Sequence, residues 1–223
     1  MQPIVTDQFD LTAPDGHRFC VFRALPEGPL LGTVMIAQEI FGVTGHIRAV
    51  AEQYARASYE ALAPQLFDRH TANLLVPYTD IPAGLAVARS IDIALTLTDL
   101  EACRLAAARP DKVGLVGFCW GGRTAYIAAC RLALKAAVSY YGVGLPACLA
   151  ERPTCPIQFH FGLEDQATPK SDVDAIQAAV PSAECYLYPA GHAFNNADRP
   201  SFEPGSATLA FSRALDFFQR HLP

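Results

Sequence analysis

A single cysteine stands between glycines in Gly117-Phe118-Cys119-Trp120-Gly121, where an apolar run ends and a helical segment begins. With sulfur in place of oxygen, this G-x-C-x-G pattern matches a nucleophile elbow, a strained strand-to-helix turn that holds the reactive side chain exposed. A thiol at a helix start feels the positive end of the helix dipole, which favours the thiolate, the nucleophilic form. A free cysteine is more often a small buried hydrophobe, but the glycines and the strand-turn-helix setting favour the reactive reading. A nucleophile in such a turn works with an acid and then a histidine, in that chain order. Asp165 ends FHFGLED after one predicted strand, and His192 lies in YPAGHAF after the next. Asp165 would orient the imidazole and His192 would carry the proton. The alternatives are a turn or helix-cap aspartate and a loop histidine without function. His160 alternates with Phe159 and Phe161 and is expected to pack, while His17, His46, His70 and His221 fall in predicted turns or helix ends. None has cysteine or carboxylate neighbours at metal-ligand spacing, so neither metal nor cofactor is expected.

Positioning these residues takes a large ordered core. Hydrophobic residues make up 51% of the 223-residue chain and charged ones 17%, enough apolar material for a core and little sign of disorder. The net charge of -5 and the scattered lysines and arginines argue against nucleic acid and towards a small-molecule partner. Seven cysteines without a C-x-x-C pair suit buried thiols in a reducing compartment. The N-terminus has no basic and apolar leader pattern, and no apolar stretch approaches the roughly 18 residues of a membrane span. The expectation is one cytoplasmic domain over 1–223, monomeric, with a homodimer as the alternative and no membrane contact.

The first forty residues read as a hairpin followed by the apolar strand LLGTVMIAQEI. Ile47, Val50, Ala51, Tyr54 and Ala55 have helical spacing, YEALAPQLF reads as a buried strand closed by Pro64, and Pro82 to Ala108 reads as one long helix. Strands and helices then alternate to the end of the chain. The predicted fold is α/β, a mainly parallel sheet covered by helices on both faces, with the opening hairpin as an antiparallel edge. In such sheets ligands bind beyond the carboxyl ends of the strands, where Cys119, Asp165 and His192 all fall.

The segments QEIFGVTGHIRAVAEQYA, GLVGFCWGG, AVSYYGVG, FHFGLEDQATP and YPAGHAFNN, spread over nearly the whole chain, resemble the dienelactone hydrolase (carboxymethylenebutenolidase) family, the cysteine-using branch of the α/β-hydrolase fold. The resemblance implies a Cys119-His192-Asp165 triad acting on small esters or lactones through a thioester acyl-enzyme. It also implies that Glu39 sits by the resting thiol and disfavours its ionisation, with a strand-end cap as the alternative role, and that the amides of Ile40 and Trp120 form an oxyanion hole. The sequence departs from the family at Asn196, four residues after the histidine, where family members acting on dienelactone place an arginine for the substrate carboxylate. Arg89 and Arg69 are the candidates to replace that charge. Phe41, Trp120, Tyr141 and Phe194, with Asn196, point to an apolar, aromatic-lined cleft for a neutral ester. Two alternatives stand beside this reading: attack on other activated electrophiles such as aryl phosphotriesters, and a non-catalytic thiol sensor or binding protein. The sensor would need a resolving cysteine near Cys119, and Cys130, inside a predicted helix, is poorly placed.

Overall fold

Strand β1 (Ile4–Thr12) and strand β2 (Arg18–Pro26) form an antiparallel hairpin, pairing Ile4 with Pro26 and Thr12 with Arg18. The remaining elements are β3 (Gly32–Ala37), α1 (Gly45–Arg56), β4 (Tyr59–Pro64), α2 (Ile81–Ser90), α3 (Ile93–Ala106), β5 (Val113–Phe118), α4 (Trp120–Arg131), β6 (Ala136–Tyr140), β7 (Ile157–Gly162), α5 (Lys170–Ala179), β8 (Glu184–Tyr188) and α6 (Pro204–His221). This computed structural model describes residues 3–222. Its single eight-stranded sheet has the order β1-β2-β4-β3-β5-β6-β7-β8, antiparallel at β1-β2-β4 and parallel from β4 to β8.

Strands β3 to β7 are buried along their whole length, which is why they read as continuous apolar runs rather than alternating ones. Side chains still alternate between the two faces. Val34, Ile36, Val116 and Val138 pack towards α1 and α6, while Met35, Leu115, Ala137 and Phe159 pack towards α3, α4 and α5. The expected hairpin edge and two-sided parallel sheet are both present. Among the described residues no single helix is long and apolar enough to cross a membrane.

The long helix expected from Pro82 to Ala108 is instead two helices, α2 and α3, bent by 84° at the break. Apolar periodicity runs through this segment, but Asp92 interrupts it. Its side chain accepts a hydrogen bond from the Ala94 amide at 2.8 Å and caps a new helix, while Ile91 takes an extended conformation. A capping aspartate satisfies an otherwise orphaned helix-start amide and so favours a restart over continuation.

Register brings the carboxyl ends of the parallel strands level with one another. Ala37 pairs with Gly117, Phe118 with Tyr140, Tyr140 with His160, and Gly162 with Tyr188. The residues that follow, Glu39 and Ile40 after β3, Cys119 after β5, Tyr141 after β6, Asp165 after β7 and His192 after β8, therefore gather at one end of the sheet. Two glycines permit the tightest approach there. A β-carbon on Gly117 would collide with the Gly121 carbonyl, and one on Gly121 with the Ala37 carbonyl, so β3, the end of β5 and the first turn of α4 meet backbone to backbone. Gly121→Ala should destabilise the fold by about 3 kcal/mol through overpacking against main chain that cannot move aside. In thermal denaturation followed by circular dichroism, Tm should fall by about 6 to 12 °C.

Candidate active site

Cys119 occupies the turn between β5 and α4 with φ 56° and ψ -114°, a left-handed backbone at a residue that carries a β-carbon. The turn is held by main-chain hydrogen bonds on both sides. The Cys119 amide donates to the Tyr140 carbonyl at 3.0 Å, and its carbonyl accepts from the Gly122 amide at 2.9 Å and the Arg123 amide at 3.2 Å. Tyr141 and Ala193, which follow β6 and the histidine, also have positive φ. Strained residues of this kind persist where surrounding structure over-determines them, and they cluster at functional sites.

His192 Nδ1 lies 2.7 Å from Asp165 Oδ2, so Nε2 is the ring nitrogen that Asp165 leaves free. Burial disfavours a charged imidazole, but hydrogen bonds to Asp165 and to Cys119 more than offset it and push His192 up to about 10. Asp165 is buried, which by itself would raise its pKa. His192, the Thr168 hydroxyl (2.7 Å) and the Ala167 amide (2.8 Å) instead hold it below the usual carboxylate value. The sequence DQAT thus fixes the aspartate by an Asx-type turn and a threonine contact. The His192 ring meets Tyr141 edge-on at 5.0 Å, and Tyr141 in turn meets Phe194 at 5.5 Å. These aromatic rings support the imidazole from behind.

Glu39 is 2% exposed. Its Oε2 accepts from Asn196 Nδ2 at 2.7 Å and its Oε1 from the Tyr141 hydroxyl at 3.5 Å. Burial raises its pKa above the ordinary value, partly countered by Asn196 and by the charges of His192 and Arg199. Among the described residues Glu39 has no hydrogen bond to Cys119. Both side chains act electrostatically on Tyr141, which is thereby held strongly against ionisation, with burial the first cause.

Cys119, His192, Asp165 and Glu39 share one cavity of about 1040 Å³, together with Ile40, Phe41 and Trp120. The amides of Ile40 and Trp120 donate to no protein acceptor among the described residues; Trp120 is the first residue of α4, where no intrahelical partner exists. Tyr141, Phe194 and Asn196 do not face the cavity. All three are fully buried behind it, Tyr141 packing against His192, Phe194 against Tyr141, and Asn196 holding Glu39, because the tight turns after β6 and β8 fold these side chains into the core. Arg69 is also elsewhere, locked on Asp99 at 2.6 and 2.8 Å and on Asp15 at 2.7 Å. His160 packs as expected, stacked on Tyr140 at 4.4 Å with both ring nitrogens hydrogen-bonded at 2.7 Å.

Arg89 does reach the cavity, joined by two arginines that motif reading missed, Arg123 and Arg199. Their signals were present in the sequence: Arg123 follows Cys119 by four residues, one turn along α4, and Arg199 lies in the loop after His192. None of the three makes a salt bridge among the described residues. Arg199 lies over the rings of Phe41 at 5.2 Å and Tyr78 at 5.6 Å, and Arg123 Nε is 3.3 Å from Cys148 Sγ. Glu164 is an exposed carboxylate lining the same cavity.

The family model "Dienelactone hydrolase family" matches residues 19–222. The chain is 30% identical to Carboxymethylenebutenolidase 1 of Cupriavidus pinatubonensis, with 96% of each chain covered, and 31% identical to the carboxymethylenebutenolidase of Pseudomonas putida over the same shares. A Klebsiella pneumoniae protein whose crystal structure carries the dienelactone hydrolase name superposes with a TM-score of 0.87 at 30% identity, covering 97% of this chain and 98% of that one. The chain belongs to the dienelactone hydrolase family, ester and lactone hydrolases built on the α/β-hydrolase fold.

Proposed function

We propose that the chain hydrolyses small activated esters or lactones with Cys119 as nucleophile, His192 as proton carrier and Asp165 as the group that orients it. The observation that carries this reading is the 2.7 Å Asp165–His192 hydrogen bond, set beside Cys119 in its strained turn on the wall of one cavity. The thiolate attacks the acyl carbon, and the carbonyl oxygen becomes an oxyanion that accepts from the Ile40 and Trp120 amides. Collapse expels the leaving oxygen, which takes the proton from His192 Nε2 and leaves a thioester on Cys119. His192 then removes a proton from water, the hydroxide equivalent attacks the thioester, and the carboxylic product departs with the thiol regenerated. Thiolate is itself a good leaving group, so the scheme favours substrates that release a stabilised enolate or phenolate.

Three arginines lining the cavity, against one exposed glutamate, support a substrate bearing a carboxylate rather than the neutral ester suggested by Asn196. Arg199 is the best placed of them, half-buried over Phe41 and close enough to Glu39 to act on it electrostatically. A thiol sensor is disfavoured by distance. Cys130 lies near the far end of α4, about 16 Å along the axis from Cys119, whereas a disulfide needs Cα atoms within about 7 Å.

Cys119→Ala should lower kcat on p-nitrophenyl acetate by about 10⁴-fold or more, and wild type quenched during turnover should show an acetyl adduct at Cys119 by intact mass. Full activity in Cys119→Ser and His192→Ala would sink the reading. Because His192 keeps its proton to about pH 10, kcat/KM for esters that need a protonated leaving group should hold on the alkaline side and fall as pH passes about 10. Asp165→Asn removes a hydrogen bond and a charge that raise this pKa, so the alkaline limb should move towards about 6.5. Stability follows the same sign. A histidine raised on folding contributes fully below about pH 6.5 and loses that contribution as pH rises towards about 10, so the Tm–pH slope over this window should flatten in Asp165→Asn. Arg199→Met should lower kcat/KM for a carboxylate-bearing ester, relative to its neutral methyl-ester analogue, by about 10- to 100-fold, the worth of a hydrogen bond to a charged group.

A further inference from the structure

The cavity is larger than a single-ring lactone requires. At about 1040 Å³ it reaches the upper end of pockets that enclose drug-sized ligands, roughly 300–1,000 Å³. Part of its wall is a helix face. Ile81, Leu85 and Ala88 recur at i, i+4 and i+7, the spacing that places side chains on one face of a helix, and all three line the cavity from α2. Ile91 and Ile93, at the break between α2 and α3, continue the same wall. From Ile81 to Ala88 this face runs about 10 Å. Ile81 is 43% exposed, so a large apolar side chain at the head of the wall remains uncovered in the protein alone.

The apolar wall begins at the oxyanion loop. Gly84 packs so closely on Ile40 that a β-carbon there would collide with the Ile40 carbonyl, and Val87 and Ala88 share a buried cluster with Ile40 and Phe41. In the proposed reaction the two halves of the substrate must leave the scissile carbonyl in different directions. The leaving group has to reach His192, which protonates it, and on that side the cavity is lined by polar or small residues such as Gln166, Ala167 and Ser201. The acyl substituent, whose carbonyl oxygen is held at Ile40, is left to run along α2.

We propose that the α2 face of Ile81, Leu85 and Ala88 is an acyl-chain subsite, and that the chain acts on esters or lactones whose acyl part carries a medium-length hydrocarbon arm. This rests on the reading of Cys119 as nucleophile. Burying a methylene contributes about 0.8 kcal/mol, so kcat/KM should rise about fourfold for each methylene the wall covers.

The test is a p-nitrophenyl ester series from acetate through butyrate, hexanoate and octanoate to decanoate. The expected result is a rise in kcat/KM to at least hexanoate, with the octanoate-to-acetate ratio falling at least tenfold in Ile81→Asn, a substitution that an exposed position tolerates, and likewise in Leu85→Asn. A profile that is flat or falls beyond acetate, or a ratio unchanged in both variants, overturns the subsite while leaving the nucleophile assignment intact. A binding measurement separates the two further. Trp120 is the only tryptophan in the chain and lines the cavity, so its fluorescence reports occupancy in the Cys119→Ser protein. The subsite requires 2-octanone to bind more tightly than butanone there, and Ile81→Asn to remove the difference. Equal affinities would overturn the subsite. Chain-length-dependent binding with no ester turnover by wild type would instead overturn the role of Cys119 and keep the apolar arm.

Discussion

A residue with a β-carbon held at φ 56° and ψ -114° is strained by about 1–3 kcal/mol, and much of this molecule is arranged so that the turn at Cys119 has no easier alternative. The preceding strand lies centrally in the sheet, fixed on both sides by parallel partners. The following helix begins in backbone contact with the end of β3, an approach open only to glycine at 121. Relaxing the turn would pull α4 off β3 and break the hydrogen bond from the Cys119 amide to Tyr140. Backbone packing thus places Cys119 and Trp120 together on the wall of the cavity.

Around that fixed point, two carboxylates are driven in opposite directions by their surroundings. Asp165 and Glu39 are both buried, and burial alone would raise each. Asp165 receives an imidazole, a hydroxyl and an amide, all donors to its charged form, and remains ionised. Glu39 receives one good amide contact from Asn196 and a long one from Tyr141, which are insufficient to reverse its upward shift. Environments that separate two like groups in this way assign them different work. Asp165 is held in its charged form against the His192 ring, while Glu39 turns to Asn196 and Tyr141 with its carboxyl pushed up by burial.

The sequence made most of the scaffold legible because parallel strands buried on both faces must be short apolar runs, and helices must alternate with them. The order and placement of Cys119, Asp165 and His192 followed from the same alternation, since each lies just beyond a strand. What stayed hidden depended on side-chain direction. Tyr141, Phe194 and Asn196 are near the histidine in the chain or across the sheet, but whether they face the cavity or the core is decided by positive-φ turns at Tyr141 and Ala193, which L-residues rarely adopt and which composition does not mark. Arg123 and Arg199 escaped for a related reason: neither sits in a motif, and their relevance appears only when α4 and the loop after His192 are brought to one cavity.

The break between α2 and α3 shows how a local choice sets the size of that cavity. Had the apolar periodicity from Pro82 to Ala108 produced a single straight helix, the segment would have run about 40 Å, too long to stay beside the loop at Ile40 and Phe41. The Asp92 cap starts a new helix at 84° to the first, so α3 can pack its Leu97, Leu100 and Cys103 on the sheet. Freed from that axis, α2 stays against Ile40, and its Ile81, Leu85 and Ala88 line the cavity they share with Cys119. Capping chemistry worth about 1 kcal/mol thereby decides whether these apolar residues cover the sheet or line the site.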